Sequence, residues 1–191
     1  DTETCHHELD ALLAHRDHLV AIDLAGDEQK FPARLFRDHF RRARDAGLGV
    51  TVQAGAVDGP PSVWDAIREL GASRIGHGLH SLQDPALVDY LVEQGIGLEV
   101  NITSNVQIGT VDDYAAHPVK EILDRGILAN LTTDDPAISG IDLRHEFEVA
   151  APRAGLRPEQ ARRAQANALD MAFLPEEEKA ALLQRKREQI T

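Results

Sequence analysis

Apolar residues recur with the period of a helix in four segments, each opened by a proline and closed by a glycine. The prolines are Pro32, Pro61, Pro85 and Pro118, and the glycines are Gly47, Gly71, Gly95 and Gly126. Proline is favoured at the first position of a helix and glycine just beyond its last position. Between them apolar residues fall three and four positions apart, as Leu91 and Val92 do from Val88. The pattern predicts four helices, each with one buried side.

Short runs rich in β-branched residues alternate with these helices. One run precedes the first helix and one follows each closing glycine: Leu19–Leu24, Val50–Val52, Arg74–Gly76, Ile96–Val100 and Ile127–Leu131. Each repeat has room for only one strand, one loop and one helix, which favours right-handed βαβ units on a parallel sheet buried on both faces. After about Ile141 the pattern is helical, with helices opened by Pro158 and Pro175. We therefore expect an α/β fold of about five parallel βα units followed by C-terminal helices, in one domain over residues 1–191.

Composition narrows the possible partners and the compartment. The chain has 20 Lys and Arg against 32 Asp and Glu, a net charge of −12, which disfavours nucleic acid and anionic membrane surfaces. The single cysteine, Cys5, excludes an intrachain disulfide and a cysteine-rich metal cluster, and it predicts a cytoplasmic location. No apolar run is long enough to span a membrane, and the chain begins with neither Met nor a signal peptide. We expect a processed, cut or engineered piece of a longer protein.

Polar residues and glycines collect where each predicted strand gives way to its loop. They are Asp23, Gly26, Asp27, Glu28, Gln53, Gly55, His77, Asn101, Thr103, Ser104, Asn105, Thr132, Thr133, Asp134 and Asp135. The carboxyl ends of parallel strands are where α/β folds bind ligands, so a site is expected there. The alternative for any one of these residues is a helix cap or a turn. Adjacent carboxylates at Asp134 and Asp135 exceed what capping requires, because they repel one another.

Several of these residues belong to short sequence motifs that resemble those of a known family. The motifs are Ile22–Glu28 (Ile-Asp-Leu-Ala-Gly-Asp-Glu), Arg74–Gly78 (Arg-Ile-Gly-His-Gly), Thr103–Asn105 (Thr-Ser-Asn) and Thr133–Pro136 (Thr-Asp-Asp-Pro). In this order they closely resemble the C-terminal part of adenosine deaminase of the bacterial type, a zinc-dependent hydrolase of purine nucleosides. The likeness extends over essentially the whole chain.

The resemblance implies a TIM (β/α)8 barrel and a set of residue roles. Asp134 matches a zinc ligand, and His77 matches the histidine that orients or deprotonates the zinc-bound water. Asp135 matches the carboxylate that hydrogen-bonds purine N7, and Gly26 matches the glycine whose backbone faces purine N3. Zinc lowers the pKa of its bound water to about 7, so that hydroxide attacks C6 while carboxylates move the protons.

Two substitutions interrupt this match. The family word His-Ala-Gly-Glu is replaced here by Gln53-Ala54-Gly55-Ala56, which removes a zinc ligand and the general acid. A carboxamide oxygen is a poor zinc donor beside imidazole, and the methyl group of Ala56 carries no exchangeable proton. The family's His-x-His on the first strand would lie before residue 1. Of four ligands one remains, so we expect little zinc and negligible deamination.

Two functional hypotheses follow from these residues. In the first, the chain is an adenosine deaminase polypeptide or fragment that converts adenosine to inosine and ammonia in a site completed by other segments. In the second, it is a non-catalytic derivative, natural or engineered, that serves as a scaffold, an assembly module or a weak purine binder. Gln53 and Ala56 favour the second for the chain as it stands, whereas the resemblance favours the first for its origin.

Five units of an eight-unit barrel leave two open sheet edges. We also expect an apolar inner face that is exposed to water. Self-association would cover both, since identical chains are always available. The alternatives are a partner that supplies the missing strands, an open sheet covered by helices, or a complete barrel of which this sequence is a part.

Overall fold

Five parallel strands form one sheet in the computed structural model, which describes residues 2–190 apart from the side chains of residues 189 and 190. The strands are β1 (Ala21–Leu24), β2 (Gly49–Ala54), β3 (Arg74–His77), β4 (Gly97–Val100) and β5 (Ala129–Leu131). They lie side by side in chain order, and every pairing is parallel. The predicted fold class is therefore confirmed.

Helices follow the strands in alternation and continue beyond β5. They are α1 (Thr2–Ala14), α2 (Arg37–Asp45), α3 (Pro60–Leu70), α4 (Pro85–Gln94), α5 (Ile102–Gln107), α6 (Val119–Asp124), α7 (Pro136–Ser139), α8 (Leu143–His145), α9 (Ala151–Arg153), α10 (Pro158–Asp170) and α11 (Glu176–Ile190). A π-helical turn, Glu146–Ala150, joins α8 to α9. Short 3-10 helices occupy Arg16–His18, Ala33–Phe36 and Leu79–Gln83. The four helices predicted from proline and glycine are α2, α3, α4 and α6. None of the helices within residues 2–190 has the length and apolar character needed to cross a membrane.

The face of the sheet that meets the helices is apolar. Val52, Ile75 and Leu98 stand side by side in the register of β2, β3 and β4, and each is almost fully buried. They pack in one cluster with helical side chains such as Leu70 and Leu91. This cluster fixes the sheet against its helices, so the loops at the carboxyl ends of the strands start from rigid positions.

The opposite, inner face is polar, and the prediction of an apolar inner face was wrong. Thr51 Oγ1 donates to Glu99 Oε2 at 3.0 Å, and Arg74 Nε lies 3.1 Å from Glu99 Oε1. Asn130 continues this face on β5, and Asp23 begins it on β1. The strands alternate apolar and polar residues, so only one face carries the apolar set. Water at this face meets charged and polar groups.

The segment Met171–Leu174, which follows α10, packs against the amino ends of the strands. A Cβ atom on Gly49 would lie 2.6 Å from the ring of Phe173, and one on Gly97 would lie 2.5 Å from Met171 Cε. The Arg74 guanidinium lies 4.0 Å from the centre of the Phe173 ring. Within the described residues, β1 and β5 each pair with one neighbour only. The inner face is thus closed at its amino end and open at both sides.

Candidate active site

One cavity at the carboxyl ends of the strands brings together the site residues predicted from sequence. It has a volume of about 320 Å³ and is lined by Gly26, Gln53, Ala56, His77, Asp134 and Asp135, among others. These residues come from the loop after β1, from the end of β2 and the loop that follows it, from the last position of β3 and from the loop after β5. Residues up to 109 positions apart in the chain therefore share one wall, as the family resemblance implied.

Two of these residues have a backbone conformation that side chains rarely adopt. His77 has φ of 63° and Asp134 has φ of 55°, and within the described residues these are the two positive values outside glycine. A residue in this region costs of order 1 kcal/mol or more, and such residues concentrate at functional sites. Both residues lie where β3 and β5 give way to their loops, and both line the cavity.

His77 is buried and held by two carboxamide groups. Asn105 Nδ2 lies 3.0 Å and Asn101 Nδ2 lies 3.2 Å from His77 Nδ1. The other ring nitrogen, Nε2, lies 3.8 Å from Asp134 Oδ2, and that oxygen accepts a hydrogen bond of 2.7 Å from Ser104 Oγ. Burial lowers the pKa of His77 against the opposing effect of the charges on Asp134 and Glu28. The ring is therefore neutral over a wider range of pH than a free histidine.

Behind His77 lies a residue that the sequence reasoning missed. His117 is 3% exposed, and its Nε2 lies 3.1 Å from Asn105 Oδ1. Desolvation lowers the pKa of His117 to about 4, with a smaller contribution from His77. The one available signal was the His-Pro pair that precedes α6, which nothing in the spacing linked to the site.

The two substituted positions, Gln53 and Ala56, both line this cavity. Gln53 Oε1 accepts a hydrogen bond of 3.3 Å from the backbone N–H of Gly26. Ala56 is buried, and its methyl group lines the cavity. A neutral carboxamide oxygen thus stands where the family has an imidazole, and the position of the family's acid offers no proton.

The side chain of Glu28 holds the loop after β2 by binding the backbone N–H groups of that loop. Its carboxylate accepts from the N–H groups of residues 55, 56, 57 and 58 at distances of 2.6 to 3.1 Å. Successive N–H groups that converge in this way form a nest for an anion. Desolvation would raise the pKa of Glu28, but these N–H groups and the Ser62 hydroxyl outweigh it and keep the pKa below its usual value. Glu28 therefore joins the loop that carries Gly26 to the loop that carries Ala56.

A second buried carboxylate supports the Asn101–Asn105 segment. Glu146 is fully buried, and it accepts from the backbone N–H groups of Ile102 at 3.1 Å and Thr103 at 3.2 Å. Its pKa is raised by desolvation, against the effect of these hydrogen bonds. It satisfies the first amide groups of α5, the helix that presents Asn105 to His77.

Two more carboxylates differ sharply in their surroundings. Asp23, at the open edge of the sheet, has its pKa raised to about 6 by desolvation of the carboxyl group and by repulsion from Glu99. Asp135 is exposed and stands at the N-cap position of α7 without making a capping hydrogen bond through its side chain. The alternative of a helix cap is therefore not realised at Asp135, whose carboxylate faces the cavity.

The described residues do not fit a zinc ion. Within residues 2–190 no three or more His, Cys, Asp or Glu side chains are grouped closely enough to hold a metal. Of the family's zinc ligands these residues retain Asp134, and at Gln53 a carboxamide oxygen stands where the family has an imidazole. A catalytic zinc site usually has three protein ligands. We therefore derive no chemical step through a metal held by these residues.

The chain matches the family model of adenosine deaminase over residues 1–188. It is 60% identical over 181 residues to an adenosine deaminase of Klebsiella pneumoniae subsp. pneumoniae, and this alignment covers 95% of the chain and 54% of the relative. It is 59% identical over 178 residues to an adenosine deaminase of Escherichia coli O1:K1, with coverage of 93% and 54%. The chain therefore spans about half the length of the curated relatives it matches.

Solved structures of deaminases and an amidohydrolase share the fold. An adenine deaminase from Arthrobacter aurescens superimposes with a TM-score of 0.91 at 29% identity, over 98% of this chain and 57% of that one. A zinc-bound amidohydrolase from Burkholderia ambifaria gives a TM-score of 0.87 at 25% identity, over 95% and 51%. An N6-methyl-AMP deaminase from Arabidopsis thaliana gives 0.81 at 25% identity, over 95% and 53%. Because the family model matches 188 of the chain's 191 residues, the chain belongs to the adenosine deaminase family.

Proposed function

We propose that this chain carries the carboxyl-terminal part of an adenosine deaminase site and that, with its present residues, it does not deaminate adenosine. The observation that carries the proposal is the single cavity that contains both the matched residues and the two substituted ones. Relatives with 59% and 60% identity are adenosine deaminases, which makes a purine nucleoside the expected ligand. The parent reaction converts adenosine to inosine and ammonia.

In this proposal the two sides of the cavity have different tasks. Asp135 hydrogen-bonds purine N7, and the backbone of Gly26 faces purine N3. His77 and Asp134 lie 3.8 Å apart on the side where the reacting C6 atom belongs. The polar contact of Asp135 allows weak binding of a purine nucleoside even where the chemical step fails. The Gly26 N–H, which donates to Gln53 Oε1, has to be shared with purine N3 or released from Gln53.

The catalytic defect lies at the loop after β2. Ala56 cannot protonate the purine ring, and Gln53 offers a neutral oxygen in place of an imidazole. The oxygen of Gln53 also accepts from the Gly26 N–H, which leaves it one lone pair and makes it a weaker metal donor still. We therefore expect far less than one zinc per chain and no turnover, which favours a pseudoenzyme over an active fragment.

The decisive experiment restores the two groups in a longer chain. The amino-terminal part of the Klebsiella pneumoniae adenosine deaminase is joined ahead of residue 1, with and without Gln53→His and Ala56→Glu. Adenosine loss is followed by ultraviolet absorbance, and zinc by elemental analysis. We expect zinc to rise to about one per chain with Gln53→His, which restores the fourth ligand, and activity only when Ala56→Glu also restores the acid.

A matched control makes the same changes at exposed positions of α11, as Gln184→His and Ala180→Glu, and should not restore activity. Turnover with stoichiometric zinc before the substitutions are made would refute the proposed defect. Binding is measured separately by titrating the chain with inosine, where Asp135→Ala should weaken the interaction by up to about tenfold, as loss of one hydrogen bond predicts. Equal affinity in the variant would remove Asp135 from the purine contact.

Assembly and location remain part of this proposal. The unpaired sides of β1 and β5 favour self-association or a partner that adds strands, because exposed strand edges are pairing templates. The single cysteine, Cys5, is partly buried and favours a reducing cytoplasm. We expect residues 1–191 to act as one domain of a larger barrel.

A further inference from the structure

A chain of three side chains runs from the start of α6 to the cavity, and its hydrogen-bond directions are set at one end. The backbone N–H of Val119 donates to His117 Nδ1 at 3.1 Å. A backbone N–H can only donate, so His117 Nδ1 must accept and carries no proton. Because burial keeps His117 neutral, its one proton is on Nε2.

The next link follows from that proton. His117 Nε2 lies 3.1 Å from Asn105 Oδ1, so the imidazole donates and the carboxamide oxygen accepts. This contact fixes the orientation of the Asn105 amide, which is fully buried and has no solvent to turn towards. Its NH2 group consequently points to His77 Nδ1, 3.0 Å away.

The direction at His77 is set by the same logic. An amide NH2 group only donates, so His77 Nδ1 must accept and the proton of the neutral ring is on Nε2. Asn101 repeats the constraint from a second position, because Thr132 Oγ1 donates to its oxygen and leaves its NH2 group 3.2 Å from the same Nδ1. The Nε2–H group faces Asp134 across 3.8 Å.

We propose that His117 and Asn105 are positioning residues that hold neutral His77 in the Nε2–H tautomer. His77 then presents a hydrogen-bond donor to Asp134 and to any ligand oxygen beside it, and offers no lone pair on that side. The histidine at this position was expected either to orient or to deprotonate a reacting water, and the geometry points to orientation. The chemical consequence rests on the proposed function, whereas the tautomer itself does not.

The tautomer can be read directly from the chain by nuclear magnetic resonance of 15N-labelled histidine. Long-range proton–nitrogen spectra are recorded above the ordinary histidine pKa of about 6.5, where the rings are neutral. We expect His77 and His117 to show a protonated Nε2 and a bare Nδ1. Assignment comes from the loss of each pattern in the His77→Gln and His117→Gln variants.

His80 provides an internal control, because it is expected to be the opposite tautomer. Its Nδ1 lies 2.7 Å from the carbonyl oxygen of Asp58, an acceptor, so its Nδ1 carries the proton. The same spectrum of the unmodified chain should therefore contain both tautomers. A protonated Nδ1 on His77 in that spectrum would overturn the proposal, and this measurement requires no purine, metal or turnover.

A variant reverses the constraint. In Asn105→Asp the carboxylate accepts from both rings, so His77 Nδ1 should gain a proton while His117 keeps its Nε2–H. Gln107→Glu makes the same charge change on α5 at an exposed position and should leave the His77 pattern unchanged. An unchanged His77 pattern in folded Asn105→Asp would contradict the proposal, and if that variant does not fold, the spectrum of the unmodified chain decides. Because none of these spectra involves adenosine, a failure of the proposed function would be seen separately.

Discussion

At the scale of single residues, Glu28 carries more hydrogen bonds from backbone N–H groups than any other described side chain of the site. We expect Glu28→Gln to lower the free energy of unfolding by about 2 to 4 kcal/mol, since hydrogen bonds to a charged group contribute about 1.5 to 3 kcal/mol each and a neutral amide replaces only part of them. Urea unfolding measures the change. Glu93→Gln, at an exposed position of α4, is the control and should change stability by less than about 0.5 kcal/mol.

The same residue predicts a pH dependence. The pKa of Glu28 is lower in the folded chain because four backbone N–H groups stabilise its charge against desolvation. Its stabilisation is therefore complete above the ordinary glutamate pKa of about 4.3 and is lost as pH falls through the lower folded value. The difference in the free energy of unfolding between the unmodified chain and Glu28→Gln should therefore decrease as the pH falls through that range. A constant difference down to the lowest pH would contradict this explanation.

Site residues were predictable from sequence where they form short motifs at strand ends, as His77 and Asp134 do. Such motifs can be recognised because the strand end, the strained backbone angle and the polar side chain all belong to a few consecutive residues. His117 and Glu146 were not predictable in the same way. Each acts through contacts with residues far away in the chain, and neither stands at the end of a strand.

At the scale of elements, the contact between β2 and the segment after α10 is unusually close. A methyl group on Gly49 would lie 2.6 Å from the Phe173 ring, so Gly49→Ala should cost about 1 to 3 kcal/mol of stability. Thermal or urea unfolding measures this cost. It should largely vanish in a chain that already carries Phe173→Ala, because the ring is then absent.

If Gly49→Ala costs the same in both backgrounds, the ring is not the cause. The glycine would then be required for another reason, such as the backbone of the strand itself.

The elements were largely predictable because proline and glycine mark helix ends and β-branched residues mark strands. The faces of the sheet were less predictable. In β4 the residues Leu98 and Val100 are fully buried and Glu99 is not, which is an alternation of period two. The expectation of a sheet buried on both faces led to the wrong inner face, and the polar partners of Glu99 lie on other strands.

At the scale of the whole molecule, the sheet has two unpaired edges among the described residues. We expect the purified chain to be larger than a monomer in multi-angle light scattering, because unpaired strands pair with one another. Because the inner face is polar, burial of apolar surface does not drive this self-association. The unpaired strand edges are its expected cause. The chimaera that adds the amino-terminal part of a relative should be monomeric under the same conditions.

A sharp monomeric peak from the chain alone, with cooperative unfolding, would contradict this expectation. The monomer would then be stable with both strand edges unpaired. No second chain would cover the exposed side chains of Val57 and Ile108 at the cavity.

The buried carboxylate of Glu146 sets an order on synthesis. The amide groups that it satisfies, on Ile102 and Thr103, leave the ribosome 44 and 43 residues before it does. A nascent chain that ends before this residue holds the start of α5 without its acceptor, so Asn105 cannot yet be presented to His77. Since all five strands precede Glu146 in the chain, the cavity is completed only after the whole sheet has been translated.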